Sequence, residues 1–267
     1  MADHPERVPA VILLIGGTSD TAPMANLLAE AGYEVIVSQT TNNPLAMEDH
    51  PRIRLRRGPL DAAGLEALVE NEKIRAIVNA AHPYARNIRE TARTAADRLG
   101  ILHLDFIRPP EILKTDDVIF ASSHDQAARI AFSFKLPVLL TTGSRNLEPY
   151  AKAAEITGTP LAVRVLNDPQ SLSACRSAGI APDRIIPGRG PFCLQENLDA
   201  IDRFSIGVLV TKDGGKPSGV GEKLEAARLR NCQVVAVSRP VDADESYFQT
   251  HTDLIEALTA KLPPLKT

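Results

Sequence analysis

Short apolar runs alternate with helix-period segments along this chain, and that alternation leaves few folds open. A repeated strand–helix rhythm is the pattern of an α/β protein with a parallel, doubly wound sheet. In the first part, strands are predicted at Val11–Ile15, Glu34–Ser38, Ile53–Leu55, Arg75–Asn79 and Leu102–Asp105. Helices fill the gaps over Thr21–Ala31, Ala62–Asn71 and Tyr84–Leu99. Arg108-Pro109-Pro110 interrupts the rhythm, and a second series follows. Its strands are expected at Val118–Ala121, Val138–Thr141, Leu161–Val165, Arg184–Ile186, Gly207–Thr211 and Val234–Ser238, with a last helix over Thr252–Leu262. One sheet of about eleven strands would be unusually wide. Two Rossmann-like halves are expected instead, with helices on both faces of each sheet and a cleft between them. Residues 1–110 would form a nucleotide-binding domain and residues 111–267 a substrate domain, with exchange of a strand between them left open.

The net charge of −3 over 267 residues mixes both signs throughout, so neither nucleic acid nor an anionic membrane is expected as a partner. No apolar run reaches bilayer length, and Met1–Pro9 is charged and broken by proline rather than signal-like. Cys175, Cys193 and Cys232 show no paired spacing, which argues against a disulfide framework or a zinc site and suits the cytoplasm. No metal-ligand set is visible. The absence of Trp speaks against stacking surfaces for single strands.

The first strand runs into Gly16-Gly17-Thr18-Ser19-Asp20 and then a helix. Glycines there permit a tight turn and let backbone N–H groups approach a phosphate at the helix N-terminus, with Thr18 or Ser19 adding a hydroxyl. The full G-x-G-x-x-G fingerprint is absent, and an ordinary turn capped by Ser19 or Asp20 is the competing reading. The second strand ends at Ser38-Gln39-Thr40-Thr41-Asn42, where an NAD site would carry an acidic residue for the ribose 2′-hydroxyl. Thr40 and Thr41 leave room for a 2′-phosphate, which favours NADPH over NADH; Arg56 and Arg57 could come near. A polar surface loop is the alternative.

The fourth strand ends in Asn79-Ala80-Ala81-His82-Pro83-Tyr84. Ligands of open α/β sheets bind outside the carboxyl ends of strands where strand order reverses. Pro83 biases His82 towards an extended conformation that presents its imidazole. In the usual strand order, first and fourth strands are neighbours, so His82 and Tyr84 would stand beside Gly16–Thr18. A purely structural histidine, with Asn79 stitching two loops, is the competing view. Three loops of the second half are polar at strand ends: Thr141-Thr142-Gly143-Ser144-Arg145-Asn146, Pro187-Gly188-Arg189-Gly190-Pro191-Phe192, and the stretch from Thr211 to Lys223. Together they place Arg145, Arg189, Lys212 and Lys223 on the carboxyl side of the second sheet, a cation set suited to an anion with several carboxylates. Thr142 and Ser144 would add hydroxyls, and Pro191 suits a helix start.

Several mechanisms are excluded. The tyrosines Tyr33, Tyr84, Tyr150 and Tyr247 are followed four residues on by Val37, Ile88, Ala154 and His251, so the Tyr–Lys pair of short-chain reductases is missing. G-x-S-x-G and H-E-x-x-H are also missing.

The GGT turn, AAHPYA, Arg108-Pro109, TTGSRNL, Gly190-Pro191-Phe192, Thr211-Lys212-Asp213 with Lys223-Leu224-Glu225-Ala226-Ala227, and Ser238-Arg239-Pro240 occur in one order. In that order they resemble the precorrin-6A reductase family of cobalamin biosynthesis, across nearly the whole chain. The resemblance implies two Rossmann-like halves and an oxidoreductase that uses NADPH, with NADH as the alternative, to reduce one double bond of precorrin-6A. The product is precorrin-6B, and in anaerobic pathways the substrate carries cobalt. It implies Gly16, Gly17 and Thr18 as the pyrophosphate turn, His82-Pro83-Tyr84-Ala85 as the cleft motif, and Lys212 and Lys223 as lysines of the second-half cleft that would meet the anionic tetrapyrrole. From the residues themselves, Ser19 is a further candidate cofactor contact, and His82 and Tyr84 could bond cofactor or substrate. His82, Tyr84 and Lys212 are the candidate proton donors, with water in competition, and other enzymes of the pathway are candidate partners. Asn79-Ala80-Ala81 stands where the family commonly has Asp-Ala-Thr, and Gly214 where Ser is usual. Two further readings remain: an NADP-dependent reductase of a small carboxylated substrate, and a non-catalytic nucleotide-binding module.

Overall fold

The structure, a computed structural model, describes residues 9–40, 47, 49–113, 117–240 and 246–264. Along the chain these form β1 (Val11–Ile15), α1 (Thr21–Glu30), β2 (Glu34–Gln39), β3 (Ile53–Arg57), α2 (Ala62–Asn71), β4 (Ile74–Asn79), α3 (Arg86–Leu99) and β5 (Leu102–Asp105). There follow β6 (Ile119–Ala121), α4 (His124–Ser133), β7 (Val138–Leu140), α5 (Glu148–Thr157), β8 (Leu161–Val165), α6 (Pro169–Ser177) and β9 (Ile185–Pro187). The last elements are α7 (Leu194–Phe204), β10 (Val208–Lys212), α8 (Val220–Leu229), β11 (Gln233–Val237) and α9 (His251–Lys261). The chain divides into two compact units, Met1–Pro109 with Pro240–Thr267, and Pro110–Arg239.

The first unit holds a five-stranded parallel sheet in the order β3-β2-β1-β4-β5. β1 is a central strand, and its side chains alternate between two cores as the two-residue period of a strand requires. Ile12 and Leu14 pack with Met24 and Leu28 of α1 and with Leu254 and Leu258 of α9. Leu13 and Ile15 pack on the other face with Leu65 and Val69 of α2 and with Ala92, Ala95 and Ala96 of α3. β3 can carry three arginines because it is an edge strand, with Arg54 and Arg57 exposed.

The C-terminal segment departs from the expected division, which placed all of 111–267 in the second domain. It packs on the first sheet: Phe248 donates its N–H to Asp105 O (2.8 Å) and accepts from Ile107 N (2.9 Å), bridging Phe106 in parallel. The Tyr33 hydroxyl, on a fully buried side chain, donates to Leu262 O at 2.6 Å. Leu254 and Leu258 cover apolar surface that α1 leaves on this face, which is the physical reason for the return.

The second unit holds a six-stranded parallel sheet in the order β6-β11-β10-β7-β8-β9. Leu198, Ala200, Ile201 and Phe204 of α7 and Ala226 and Ala227 of α8 pack over Leu139, Ala162 and Leu209. Pro191 does not open α7; it lies ahead of the Cys193 N-cap, after a cis bond to Gly190. Among the described residues, no helix is long and apolar enough to cross a membrane.

Candidate functional site

In the first unit strand order reverses between β1 and β4, so the loops after these strands share one crevice. Gly16 N donates to Ser38 O (2.9 Å) as β1 ends, and Gly17 adopts φ +111°. Thr21, fully buried at the first position of α1, turns its Oγ1 back to accept from Gly17 N (2.9 Å) and Thr18 N (3.0 Å). The turn is therefore capped from inside the helix, and Asp20, the N-cap residue, makes no side-chain cap bond. Thr18 Oγ1 donates to Ala80 O at 3.2 Å and accepts from Asp20 N at 3.3 Å. Among the described residues the Ser19 N–H has no protein acceptor, which leaves one backbone donor of the turn open. Arg108, nearly buried, bonds Ser19 Oγ at 3.3 Å and forms an ion pair with Asp20. The carboxylate nearest the turn is thereby neutralised.

Asn79 acts as a stitch. Its Nδ2 donates to Asp105 Oδ1 (2.7 Å) and its Oδ1 accepts from Ala81 N (3.2 Å). Asp105 also faces Arg93 at 3.3 Å and Arg89 at 3.6 Å, and Arg89 Nη2 donates to Pro83 O at 3.4 Å. The backbone of the His82 loop is thus gripped on both sides of the histidine. His82 is exposed, its Nδ1 accepts from Tyr84 N at 3.3 Å, and its ring lies 5.5 Å from that of Tyr84. At the end of β2 the Thr40 side chain is exposed, whereas Thr41 lies outside the described residues. Arg56 bonds Gly58 O (2.8 Å), Pro59 O (3.2 Å) and Ser38 Oγ (3.4 Å), which fixes a guanidinium where β2 and β3 end.

In the second unit the connections run outward from β7 through β8 to β9, and the other way from β10 to β11. The switch point therefore falls at the carboxyl ends of β7 and β10. Thr142 Oγ1 is buried there and, among the described residues, has no hydrogen-bond partner. Ser144 Oγ is bonded to Ser171 Oγ at 3.1 Å, at the start of α6, and Arg145 is exposed. The Lys212 ammonium is pushed below the usual lysine value by burial and then by Arg145. Asp213 accepts from Ile112 N (3.1 Å) and Gly215 N (2.9 Å) and pairs with Arg239 (3.0 Å), a clasp that holds the Lys212 loop.

Lys223 belongs to a second group. It is buried on α8, its Nζ reaches Ser218 O at 3.5 Å, and burial followed by Arg164 brings it down to about 8. Arg164, on β8, bonds Asn197 Oδ1 at 2.6 Å and covers the Phe192 ring at 4.2 Å, while its buried Nε has no hydrogen-bond partner among the described residues. Arg189 is exposed in the loop after β9.

The sequence reading passed over three residues of these edges. Arg164 had a signal, a lone cation inside the apolar run LAVRV. His124, first residue of α4, is depressed to about 4 by burial and then by Lys212; Arg108 enters the sequence reading as a break in the rhythm and as part of a motif, not as the partner of Asp20.

Residues 11–259 match the family model described as "Precorrin-6x reductase CbiJ/CobK". The chain belongs to the precorrin-6x reductase family. A cobalt-precorrin-6A reductase of Priestia megaterium is 27% identical over 249 residues, covering 93% of this chain and 98% of the relative. A precorrin-6A reductase of Rhodobacter capsulatus is 27% identical over 233 residues, covering 86% and 88%. A solved "CobK precorrin-6A reductase" superposes with a TM-score of 0.80 at 22% identity, over 97% of this chain and 100% of the other, so the two share a fold. The precorrin-6x reductase match takes in both crevices, including the glycine turn and the Lys212 loop.

Proposed function

We propose that this chain reduces a double bond of precorrin-6A, or of its cobalt form, to give the precorrin-6B level, with NADPH as the electron donor. The observation that carries the reading is the family match over residues 11–259, which spans both sheets and the polar loops at their switch points.

The residues of the first crevice fit a dinucleotide. The open Ser19 N–H stands at the N-terminus of α1, where the helix dipole favours an anion, and Arg108 cancels the charge of Asp20. Arg56 at the end of β2 and β3, with Thr40 and Thr41 in place of an acidic residue, supports a 2′-phosphate and hence NADPH over NADH. Gly16, Gly17 and Thr18 shape the turn rather than donate to the phosphates, because their N–H groups are already bonded within the protein. The nucleotide supplies a hydride to the macrocycle. His82 and Tyr84, on a loop braced by Asn79 and Arg89, serve to position the reactants.

The second unit receives the macrocycle's carboxylates. Lys212, Arg145 and Arg189 offer charge and Thr142 an unsatisfied hydroxyl, with Ser144 beside it; Lys223 and Arg164 form a further cationic pair. Lys212, lowered by burial, is the preferred proton donor among His82, Tyr84 and Lys212. The three free cysteines suit a reducing cytoplasm. Anaerobic mixing with precorrin-6A, with and without cobalt, and with NADPH or NADH tests the reading. Nucleotide absorbance should fall only when a tetrapyrrole is present, and faster with NADPH. Oxidation that ignores the tetrapyrrole would overturn it.

A further inference from the structure

His124 and Tyr150 form a pair that the reading above does not use. Tyr150, third residue of α5, is fully buried, and its hydroxyl lies 2.8 Å from His124 Nδ1. The rings meet edge to face, 5.7 Å apart at 82°. Among the described residues His124 is the hydroxyl's sole hydrogen-bond partner. A buried O–H that finds no acceptor is costly, so the tyrosine proton goes to Nδ1. Nδ1 then accepts, and the imidazole must carry its own proton on Nε2. Among the described residues Nε2 has no protein partner, and it is not one of the buried unpartnered atoms, so it opens to solvent.

We propose that His124 binds the substrate as a neutral hydrogen-bond donor, presenting Nε2–H to a carboxylate oxygen of the anionic macrocycle, with Tyr150 holding the ring in that tautomer. The inference rests on the tetrapyrrole reading. Its location favours it: α4 begins behind β6 at the carboxyl edge of the sheet, and Lys212 is near enough to disfavour a charge on the ring. Lys212 supplies attraction, and the fixed Nε2–H supplies direction. The charged and titratable groups facing the ring are Asp125 on its own helix, Tyr150 from α5 and Lys212 from β10. The strands β6 and β11 carry no titratable side chain. Burial and then Lys212 bring the ring down to about 4, which favours the neutral donor form in mild acid.

Steady-state kinetics of the full chain with precorrin-6A and NADPH test the proposal. His124→Ala should raise KM for the tetrapyrrole about tenfold or more, with kcat changed far less and the nucleotide Kd unchanged. His124→Gln, whose amide N–H can reach the same place, should recover most of the loss. Tyr150→Phe removes the hydroxyl that keeps Nδ1 an acceptor, so the ring proton can move from Nε2 to Nδ1, while burial and Lys212 still hold the ring neutral. KM should then rise about threefold or more with kcat changed far less, and the imidazole 15N shifts should move from the Nε2–H towards the Nδ1–H pattern. A purely structural pair would lower thermal stability without moving KM or the tautomer. A KM within twofold of wild type for folded His124→Ala, or an unchanged KM and tautomer in folded Tyr150→Phe, would overturn the proposal alone. Absence of wild-type turnover on any precorrin-6A would overturn the reductase reading and this inference together.

Discussion

Thr18 Oγ1 donates to the carbonyl oxygen of Ala80 across 3.2 Å, tying the turn after β1 to the chain two residues ahead of His82. Parallel pairing of Ile15 with Asn79 brings these two strand ends level, and the hydroxyl bond then joins their loops. The crevice of the first sheet is thus a built feature rather than a gap between independent loops.

Thr21 is expected to matter more than its place inside a helix suggests. Thr21→Val keeps the shape but strands the N–H groups of Gly17 and Thr18, which accounts for a stability loss of about 1–3 kcal/mol. Equilibrium unfolding in urea measures the loss. Isothermal titration should show weaker NADPH binding, because the turn is no longer held.

Arg108→Met leaves the Asp20 carboxylate without its principal cation in a nearly buried place. Breaking such a pair costs about 3–5 kcal/mol. The double variant Arg108→Met with Asp20→Asn should recover much of that, since no uncompensated charge remains. Unfolding midpoints of the single and double variants decide the matter.

Arg56→Ala tests coenzyme choice. Loss of the guanidinium beside Ser38 should weaken NADPH binding about tenfold and leave NADH binding almost unchanged, as expected for one charge-assisted contact to phosphate. Equal weakening of both nucleotides would place Arg56 in the scaffold instead.

Lys223 gives a pH signature. Its folded value, about 8, lies below the ordinary lysine value of 10.5, so unfolding takes up a proton between those limits. The cost of the buried charge is fully present below about pH 8 and disappears as pH rises towards 10.5. Stability should therefore climb across that window in wild type, and Lys223→Met should be more stable at pH 7 and lack the climb. Urea unfolding from pH 7 to 10 checks both. As the ammonium neutralises above about pH 8, KM for an anionic substrate should also rise.

Much of the fold was legible because it depends on local periodicity. β1, α2, β5 and β8 begin and end where the apolar pattern does, and even β3, crowded with arginines, forms because an edge strand can leave them in water. The return of α9 to the first sheet was not legible as an assignment. It depends on contacts of Leu254 and Leu258 with residues more than two hundred positions earlier, and no local pattern encodes them. At the sites, sequence located the loops but not the direction of their hydrogen bonds. Thr21 reads as an ordinary helical residue, yet its hydroxyl takes two of the N–H groups expected to meet a phosphate. His124 follows Ser122-Ser123 with no motif around it, and its interest comes from Tyr150 and Lys212, both remote in sequence.

Transfer of deuterium from NADPH labelled at C4 of the nicotinamide tests the central claim most directly. Anaerobic turnover with precorrin-6A, followed by mass spectrometry of the macrocycle, should give a product carrying one deuterium when one face of the nicotinamide is labelled and none when the other is. A product without deuterium from either labelled nucleotide would contradict the account.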